Sequence, residues 1–246
     1  ELELDRELLA VGKLALRRAR GVFQDGTPFS MPDDDALPAA FEVPSGTVDR
    51  VVHLVLPTQR SGAVEVERQP QVGAMTRYTL REFEARDVTA TSGMTAAVEV
   101  GCVRARLLPE GLPLEDFVCV PVARIRECRA DRQVLLDETF MPTALDLGAC
   151  APLARFLQEL LGMVRQRAEV LSAQVTATGR GGVAELEDFL RLQVFNRNEP
   201  LLAHLARSRP VHPEELYRAL LTLVGELSTL SGGSRRLPPV PEYLHG

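Results

Sequence analysis

Lysine is almost absent from this chain of 246 residues: Lys13 is the only one, and arginine supplies every other cation. The formal net charge is −6 at pH 7, which is mildly acidic. Nucleic acid binding relies on clustered cations that neutralise phosphates, so this balance gives no reason to expect a nucleic acid partner. The arginine bias is typical of a GC-rich genome, although arginine also suits interfaces because its guanidinium forms bidentate pairs.

The chain also lacks any apolar run close to the roughly 20 residues that a helix needs to cross a bilayer. We therefore expect no direct insertion into a membrane. The first residues, Glu-Leu-Glu-Leu-Asp, lack the basic segment and the apolar segment of a signal peptide. They also lack an initiator methionine, so we expect that residues preceding Glu1 in the native protein are missing here.

Groups of residues that carry catalytic or metal chemistry are missing as well. The four cysteines form no C-x-x-C pair and have no histidine at the spacing of a zinc site. The four histidines fall in different predicted elements, without a serine or cysteine nucleophile in a recognisable motif. We therefore expect no enzyme activity, no metal and no cofactor. The residues concerned are Cys102, Cys119, Cys128, Cys150, His53, His204, His212 and His245.

Residues 1–148 have the pattern of an antiparallel β-sandwich. Short segments that alternate between apolar and polar residues are separated by turn residues, with no helical pattern between them. Asp25-Gly26 lies between apolar residues and predicts a tight turn. Pro121 lies inside a predicted strand, which places that strand at a sheet edge or at a bulge. The predicted β segments are 13–17, 22–29, 50–57, 64–67, 76–87, 98–107, 117–126 and 132–137.

Residues 149–231 change to a helical period and predict a bundle of three helices, so the predicted fold class is α+β. The first helix should begin at Pro152, because proline is well tolerated at the first helical position. Its apolar residues recur at three- and four-residue steps, which places them on one stripe. The stripe consists of Leu153, Phe156, Leu157, Leu160, Leu161, Val164, Ala168, Leu171 and Val175.

The second helix is predicted from Ala184 to about residue 207. Pro200 removes one backbone donor inside it and should kink it near Asn196. The third helix should begin at Pro213, where two glutamates suit the positive end of the helix dipole. Residues 232–246, rich in glycine and proline, are typical of an extended linker.

Three features of the helical region each have a functional and a structural interpretation. Leu216, Leu220, Leu223 and Leu227 step four and three, as in a seam between subunits or in the core of a single chain. The polar cluster 196–199 indicates either a partner site or side chains that satisfy the carbonyls freed by Pro200. The glycine-rich stretch 179–182 could bind an anion at a helix start, but it lacks the P-loop residues and is typical of a helix–helix turn.

Four stretches, taken in order along the chain, resemble one protein family. They are 14–29, 120–125 with 134–142, 192–205 and 212–217. The family is TssK, the baseplate subunit of the type VI secretion system. None of the stretches is a catalytic signature, and the resemblance depends on their order and spacing across nearly the whole chain.

The resemblance implies a β-sandwich shoulder at 1–148 and a helical neck at 149–231, assembled as a homotrimer. In that family the shoulder engages the TssF–TssG wedge, and a C-terminal head contacts the TssJ–TssL–TssM membrane complex. The implied role is a structural adaptor between the two, in the cytoplasm at the inner face of the bacterial inner membrane. The family's N-terminal arm has no counterpart before Glu1, and residues 232–246 would lead toward a head that this sequence lacks.

The alternative to an assembly protein is an enzyme or a small-ligand-binding protein. Its pocket would lie at the junction of the sandwich and the bundle, around His204 and Glu199. A deep pocket there, or a pair of titrating groups with strongly shifted pKa values, would favour this alternative.

Overall fold

The structure is a computed structural model that describes residues 1–68, 75–86, 89, 95–178, 183–231, 236–237 and 239–244. The chain divides into two compact units, Glu1–Pro142 and Thr143–Gly246. The first is built mainly from strands and the second from helices, which confirms the predicted α+β fold class. Within the described ranges, no helix is long and apolar enough to cross a membrane.

Within its described residues, the first unit contains one short helix and four small sheets. The helix is α1 (Arg6–Leu9), and it is missed by the sequence pattern because four residues are too few to show a helical period. The sheets have the orders β1-β3-β4, β2-β5, β10-β6-β11-β12 and β7-β8-β9. The strands are β1 (Leu2–Leu4), β2 (Lys13–Leu14), β3 (Leu16–Val22), β4 (Pro28–Met31), β5 (Phe41–Glu42), β6 (Val48–Pro57), β7 (Val66–Glu67), β8 (Tyr78–Arg86), β9 (Thr95–Val103), β10 (Arg106–Pro109), β11 (Phe117–Cys128) and β12 (Val134–Leu136).

One apolar core joins the β3–β4 hairpin to the sheet built on β6. Val52, Leu54 and Leu56, which are alternate residues of β6, belong to this core and lie within the predicted β segment 50–57. The predicted turn at Asp25-Gly26 connects β3 to β4, and Gly26 has a φ of +87°, a conformation that glycine adopts without strain. Phe23 and Phe29 then pack on each other across this hairpin, with ring centroids 4.8 Å apart.

The sequence pattern misplaces some strand limits, as in the predicted segment 13–17, which is divided between β2 and β3. The single strand expected over 98–107 is two strands, because β9 pairs with β8 whereas β10 pairs with β6. Alternation could not reveal the break, since Val103, Ala105 and Leu107 are all buried. The bulge predicted for Pro121 is present, with the register shift between Pro121 and Ala123. However, β11 lies between β6 and β12 and is not an edge strand of its sheet.

The antiparallel pair β8–β9 is called the ribbon below, and two buried polar side chains fix its root. Arg77, which immediately precedes β8, donates to Asp25 Oδ2 at 2.6 Å, to Thr27 Oγ1 at 2.7 Å and to the carbonyl of Pro57. Asp35 accepts from the backbone N–H of Val103, the last residue of β9, at 2.6 Å. Both strands of the ribbon are therefore tied to the body of the unit where they leave it.

The environment of Asp25 shows which interaction dominates at this root. Burial alone would raise the pKa of its carboxyl group. The hydrogen bonds from Thr27 and the charge and hydrogen bond of Arg77 outweigh burial, so the pKa of Asp25 lies below its usual value. Asp25 is therefore ionised at neutral pH and forms a charge-assisted pair with an arginine that is almost fully buried.

The second unit contains three helices, α2 (Ala151–Thr178), α3 (Val183–Leu205) and α4 (Pro213–Thr229), preceded by a 3-10 turn at Leu147–Ala149. The predicted helix α4 begins at Pro213 as expected, and the ring of His212 accepts from the N–H of Glu214 as its cap. The stretch 179–182, predicted to be a turn, lies outside the described residues. Residues from all three helices form one apolar core.

The units divide earlier than the predicted boundary at residue 148. Leu147 is buried in the helical core, and its N–H donates to the carbonyl of Val211 at 2.7 Å. Asp146 accepts from the N–H of Val211 at 3.2 Å and from that of Gly148 at 3.1 Å. These bonds place the segment before α2 within the second unit, although its sequence has no helical period.

We expect that Arg77→Met lowers the free energy of unfolding of the first unit by about 3 kcal/mol. The substitution removes the Arg77 donor from Asp25, which keeps only its bonds from Thr27, and from the Pro57 carbonyl, while keeping most of the apolar stem. Denaturant unfolding of the chain measures the change. Arg124→Met is the matched control, because it removes an exposed pair with Asp49 and should change the free energy of unfolding far less. Equal effects of the two substitutions would contradict a buried clamp at Arg77.

Candidate docking surfaces

The leucines of α4 proposed for a subunit seam lie in the core of their own chain. Leu216 and Leu223 are only 1% and 4% exposed, and Leu220 and Leu227 pack against the same cluster. A side chain that is already covered has almost no area left for a second copy. Of the two interpretations of this leucine run, the structure therefore favours the intrachain core.

A different stripe of apolar side chains remains on the surface of α2. Phe156, Met163 and Val170 are 42%, 55% and 45% exposed, and their spacing of seven residues puts them on one side of the helix. The prediction that Phe156 belongs to the buried stripe is wrong. Leu157, which belongs to the same predicted stripe, is buried as expected, and one residue along a helix turns the side chain by about 100°. The seven-residue spacing is present in the sequence, but the neighbouring buried stripe contains more apolar residues and gives the stronger pattern.

Helix α3 also exposes apolar side chains in addition to those it contributes to the core. The sequence predicts an amphipathic helix, yet α3 carries apolar residues on its exposed side as well. These residues are Leu186, Phe189, Leu190 and Leu201. Together with the stripe on α2, they give the helical unit exposed apolar side chains on two helices. Clusters of exposed apolar side chains are typical of surfaces that contact other proteins.

Asn198 is the buried polar residue of this unit, and it connects α3 to α4. Its amide donates to the carbonyl of Val194 at 2.9 Å and to Glu226 Oε2 at 2.8 Å. Arg197, which also lies on α3, forms an ion pair with Glu226 at 2.9 Å. The carbonyl that Pro200 leaves without an amide partner is that of residue 196, which this bond does not satisfy. The polar cluster therefore serves chiefly as a bridge between helices.

The predicted kink residues Asn196 and Pro200 lie within one continuous helix, and the kink itself stays a prediction. Asn196 lines an open groove of about 850 Å³ between α2 and α3. The groove is bordered by an ion pair between Arg165 and Glu199, 3.0 Å apart. The other lining residues are Ala168, Glu169, Ser172, Ala173 and Thr176.

The structure does not join His204 to Glu199 in one site. His204 does not line the groove, and its ring contacts Ser208 Oγ, with Nε2 at 3.2 Å. Glu199 instead pairs with Arg165. The groove is open and lined mainly by small and charged residues, whereas small-molecule sites are concave and largely apolar. These contacts give no support to a catalytic pair at this place.

Two other titratable groups, on β6 and β11, have shifted pKa values that favour their uncharged forms. Burial lowers the pKa of His53, whose Nδ1 has no hydrogen-bond partner among the described residues. Burial raises the pKa of Cys119. A nucleophilic thiol requires the opposite shift, toward the thiolate. Within the part of the chain that the structure describes, no group of three histidine, cysteine or acidic residues could hold a metal ion.

Comparison with known proteins identifies relatives that match along the entire chain. The family model described as "Bacterial Type VI secretion, VC_A0110, EvfL, ImpJ, VasE" matches residues 1–246. The type VI secretion system baseplate component TssK1 of Pseudomonas aeruginosa is 44% identical over 245 residues. These cover 100% of this chain and 55% of the relative. The chain therefore spans about half the length of that curated relative.

Solved structures give the same result. The match to a crystal structure of TssK covers 99% of this chain and 55% of the chain in that structure, with a TM-score of 0.93 and 33% identity. A TssK-TssF-TssG baseplate subcomplex, determined by cryo-electron microscopy, contains a chain that matches with a TM-score of 0.83 and 25% identity. That match covers 99% of this chain and 78% of the other. The two-unit architecture is thus shared with proteins of one secretion system.

We expect that Asn198→Ala destabilises the helical unit by about 2 kcal/mol, because it removes a buried amide that donates to the partly buried carboxylate of Glu226. Thermal and denaturant unfolding, followed by circular dichroism, measure the loss. Asn196→Ala is the matched control on the same helix, since Asn196 is exposed, and it should change stability by less than about 0.5 kcal/mol. If both substitutions cost the same, Asn198 is not the bridge described here.

Proposed function

Because the chain belongs to the TssK family of bacterial type VI secretion proteins, we propose that it acts as a structural adaptor of the secretion baseplate. The observation that carries this proposal is the match of 99% of this chain to a chain of a TssK-TssF-TssG baseplate subcomplex. The proposed role is non-enzymatic: the chain connects a TssF–TssG wedge to a TssJ–TssL–TssM membrane complex. This places it in the cytoplasm, at the inner face of the inner membrane.

The two units take different parts in the proposal. The unit Glu1–Pro142 is the shoulder that binds the wedge, and the unit Thr143–Gly246 is the neck that holds copies together and leads toward the membrane complex. The shoulder presents sheet edges and a two-stranded ribbon, which suit protein partners. The neck presents helices with apolar residues on their outer sides, which suit helix–helix contacts.

Self-association of the neck requires a seam, and the outer stripe of α2 is the best candidate for it. Phe156, Met163 and Val170 recur at heptad spacing and are exposed in the single chain. Packing of this stripe around a threefold axis would bury all three side chains, each contributing roughly 1.5–3 kcal/mol if fully covered. The proposed homotrimer therefore uses α2 for its contacts, and α4 serves the core of each chain.

Light scattering tests the trimer. The unaltered chain should have three times the 27.0 kDa mass of one copy. Met163→Glu should give monomers, because it places a charge in the centre of the proposed seam. Val224→Glu, at an exposed apolar position of α4, is the control and should leave the trimer intact. A monomeric unaltered chain, or the loss of trimers in both variants, would refute this seam.

Mixing the chain with its cognate TssF and TssG tests the adaptor role. We expect the three proteins to elute together in size-exclusion chromatography at low salt. The chain alone and the TssF–TssG complex alone provide the reference elution volumes. Separate elution of the chain at every salt concentration would count against the shoulder as a binding surface for the wedge.

A further inference from the structure

The ribbon has two faces of opposite character. Its strands pair over nine residues each, with Phe83 opposite Val98 and Glu82 opposite Glu99. Since side chains alternate along a strand, these two pairs point to opposite faces. We name them the apolar face and the acidic face. The apolar face carries Phe83, Ala85, Ala96, Val98 and Val100, with Arg81 at its root end, and the acidic face carries Glu82, Glu84 and Glu99, with Arg86 at its outer end.

The apolar face is open to solvent in the single chain. Phe83 is 50% exposed and Val98 is 39% exposed. A two-stranded ribbon is marginally stable in water by itself, and an uncovered edge strand invites pairing with another chain. In the order β7-β8-β9, drawn from the described residues, β9 is such an edge over its whole length. This surface is therefore suited to an additional strand.

Hydrogen bonds fix both strands at the root of the ribbon, so this end of the surface is in position before a partner binds. Arg77 fixes the start of β8 through Asp25, and Asp35 fixes the end of β9 through the N–H of Val103. A partner that docks on the ribbon does not have to order these strands first. Binding to a preorganised surface loses less conformational entropy than binding to a flexible one.

The acidic face specifies the charge of the partner. Like charges directly opposite in a sheet are destabilising, and Glu82 lies directly opposite Glu99. Arg68 lies 3.3 Å from Glu99, but this pair is largely exposed and contributes little. Cationic side chains on a neighbouring strand would lie beside these carboxylates and relieve their repulsion.

We propose that the β9 edge of the ribbon binds an extended segment of the baseplate wedge as an added strand, in which apolar residues alternate with arginine or lysine. The apolar residues pack beside Phe83 and Val98, and the cations lie beside Glu82 and Glu99. Backbone hydrogen bonds to β9 supply affinity, and the alternation of side chains supplies specificity. This inference rests on the proposed adaptor function and names the surface that performs it.

The test measures the affinity of the chain for the purified TssF–TssG complex. The double variant Phe83→Ser with Val98→Ser should bind at least about tenfold more weakly, as expected when central apolar contacts are lost. The control is Val22→Ser with Val48→Ser, which alters two exposed valines in other strands and should change the affinity less than about twofold. Circular dichroism verifies that both variants remain folded.

A second variant tests the charge of the added strand. Glu82→Gln with Glu99→Gln should weaken binding at low ionic strength, because the cations of the wedge segment lose their partners. The difference from the unaltered chain should shrink at about 0.5 M salt, where exposed charges are screened beyond about 4 Å. A difference that is independent of salt would contradict cationic side chains on this strand.

The outcomes separate this inference from the proposed function. If the unaltered chain binds TssF–TssG and the Phe83 and Val98 variant binds equally well, the ribbon is not the docking surface and the adaptor role stands. If the unaltered chain does not bind, both proposals fail. If the chain associates with itself without the wedge and this variant abolishes that association, the occupant is a second copy and the inference is overturned.

Discussion

The guanidinium group of Arg77 holds together three parts of the strand unit that are distant in sequence. It joins the β3–β4 turn through Asp25 and Thr27, the end of β6 through the Pro57 carbonyl, and the start of the ribbon through its own backbone. A buried charge is costly unless it is paired and hydrogen-bonded, and here both conditions are met. Arg77 therefore fixes the orientation of the ribbon together with Asp35, which holds the end of β9.

The helical unit is also fixed by a buried polar side chain, but the contact is an amide hydrogen bond and not a buried ion pair. The leucines of α4 lie in or pack against the core of their own unit, and Asn198 fixes α3 against α4 through Glu226. Three apolar residues at heptad spacing on α2, from Phe156 to Val170, remain exposed. In both units a buried polar contact fixes the framework, and apolar area that the framework does not use is left at the surface. This arrangement is expected of a protein whose role is to hold other proteins in position.

The sequence predicted elements well where the signal is local. The β6 strand, the turn at Gly26 and the start of α4 at Pro213 are local signals, and all three are present. The break between β9 and β10 escaped prediction because Val103 and Ala105 are buried in succession around it by contacts distant in sequence. The same holds for the docking surfaces: a leucine repeat shows that a face is apolar, but only the packing shows whether the chain itself covers it.

Hydrogen exchange of the chain, alone and in complex with TssF–TssG, tests the central claim that the clamped ribbon is where a baseplate partner docks. Amides on the outer edge of β9 have no partner strand among the described residues and should exchange quickly in the free chain. We expect the wedge to slow exchange by about tenfold or more across 95–101, because an added strand bonds to these groups. A stable complex with unchanged exchange in the ribbon, and protection elsewhere, would contradict it.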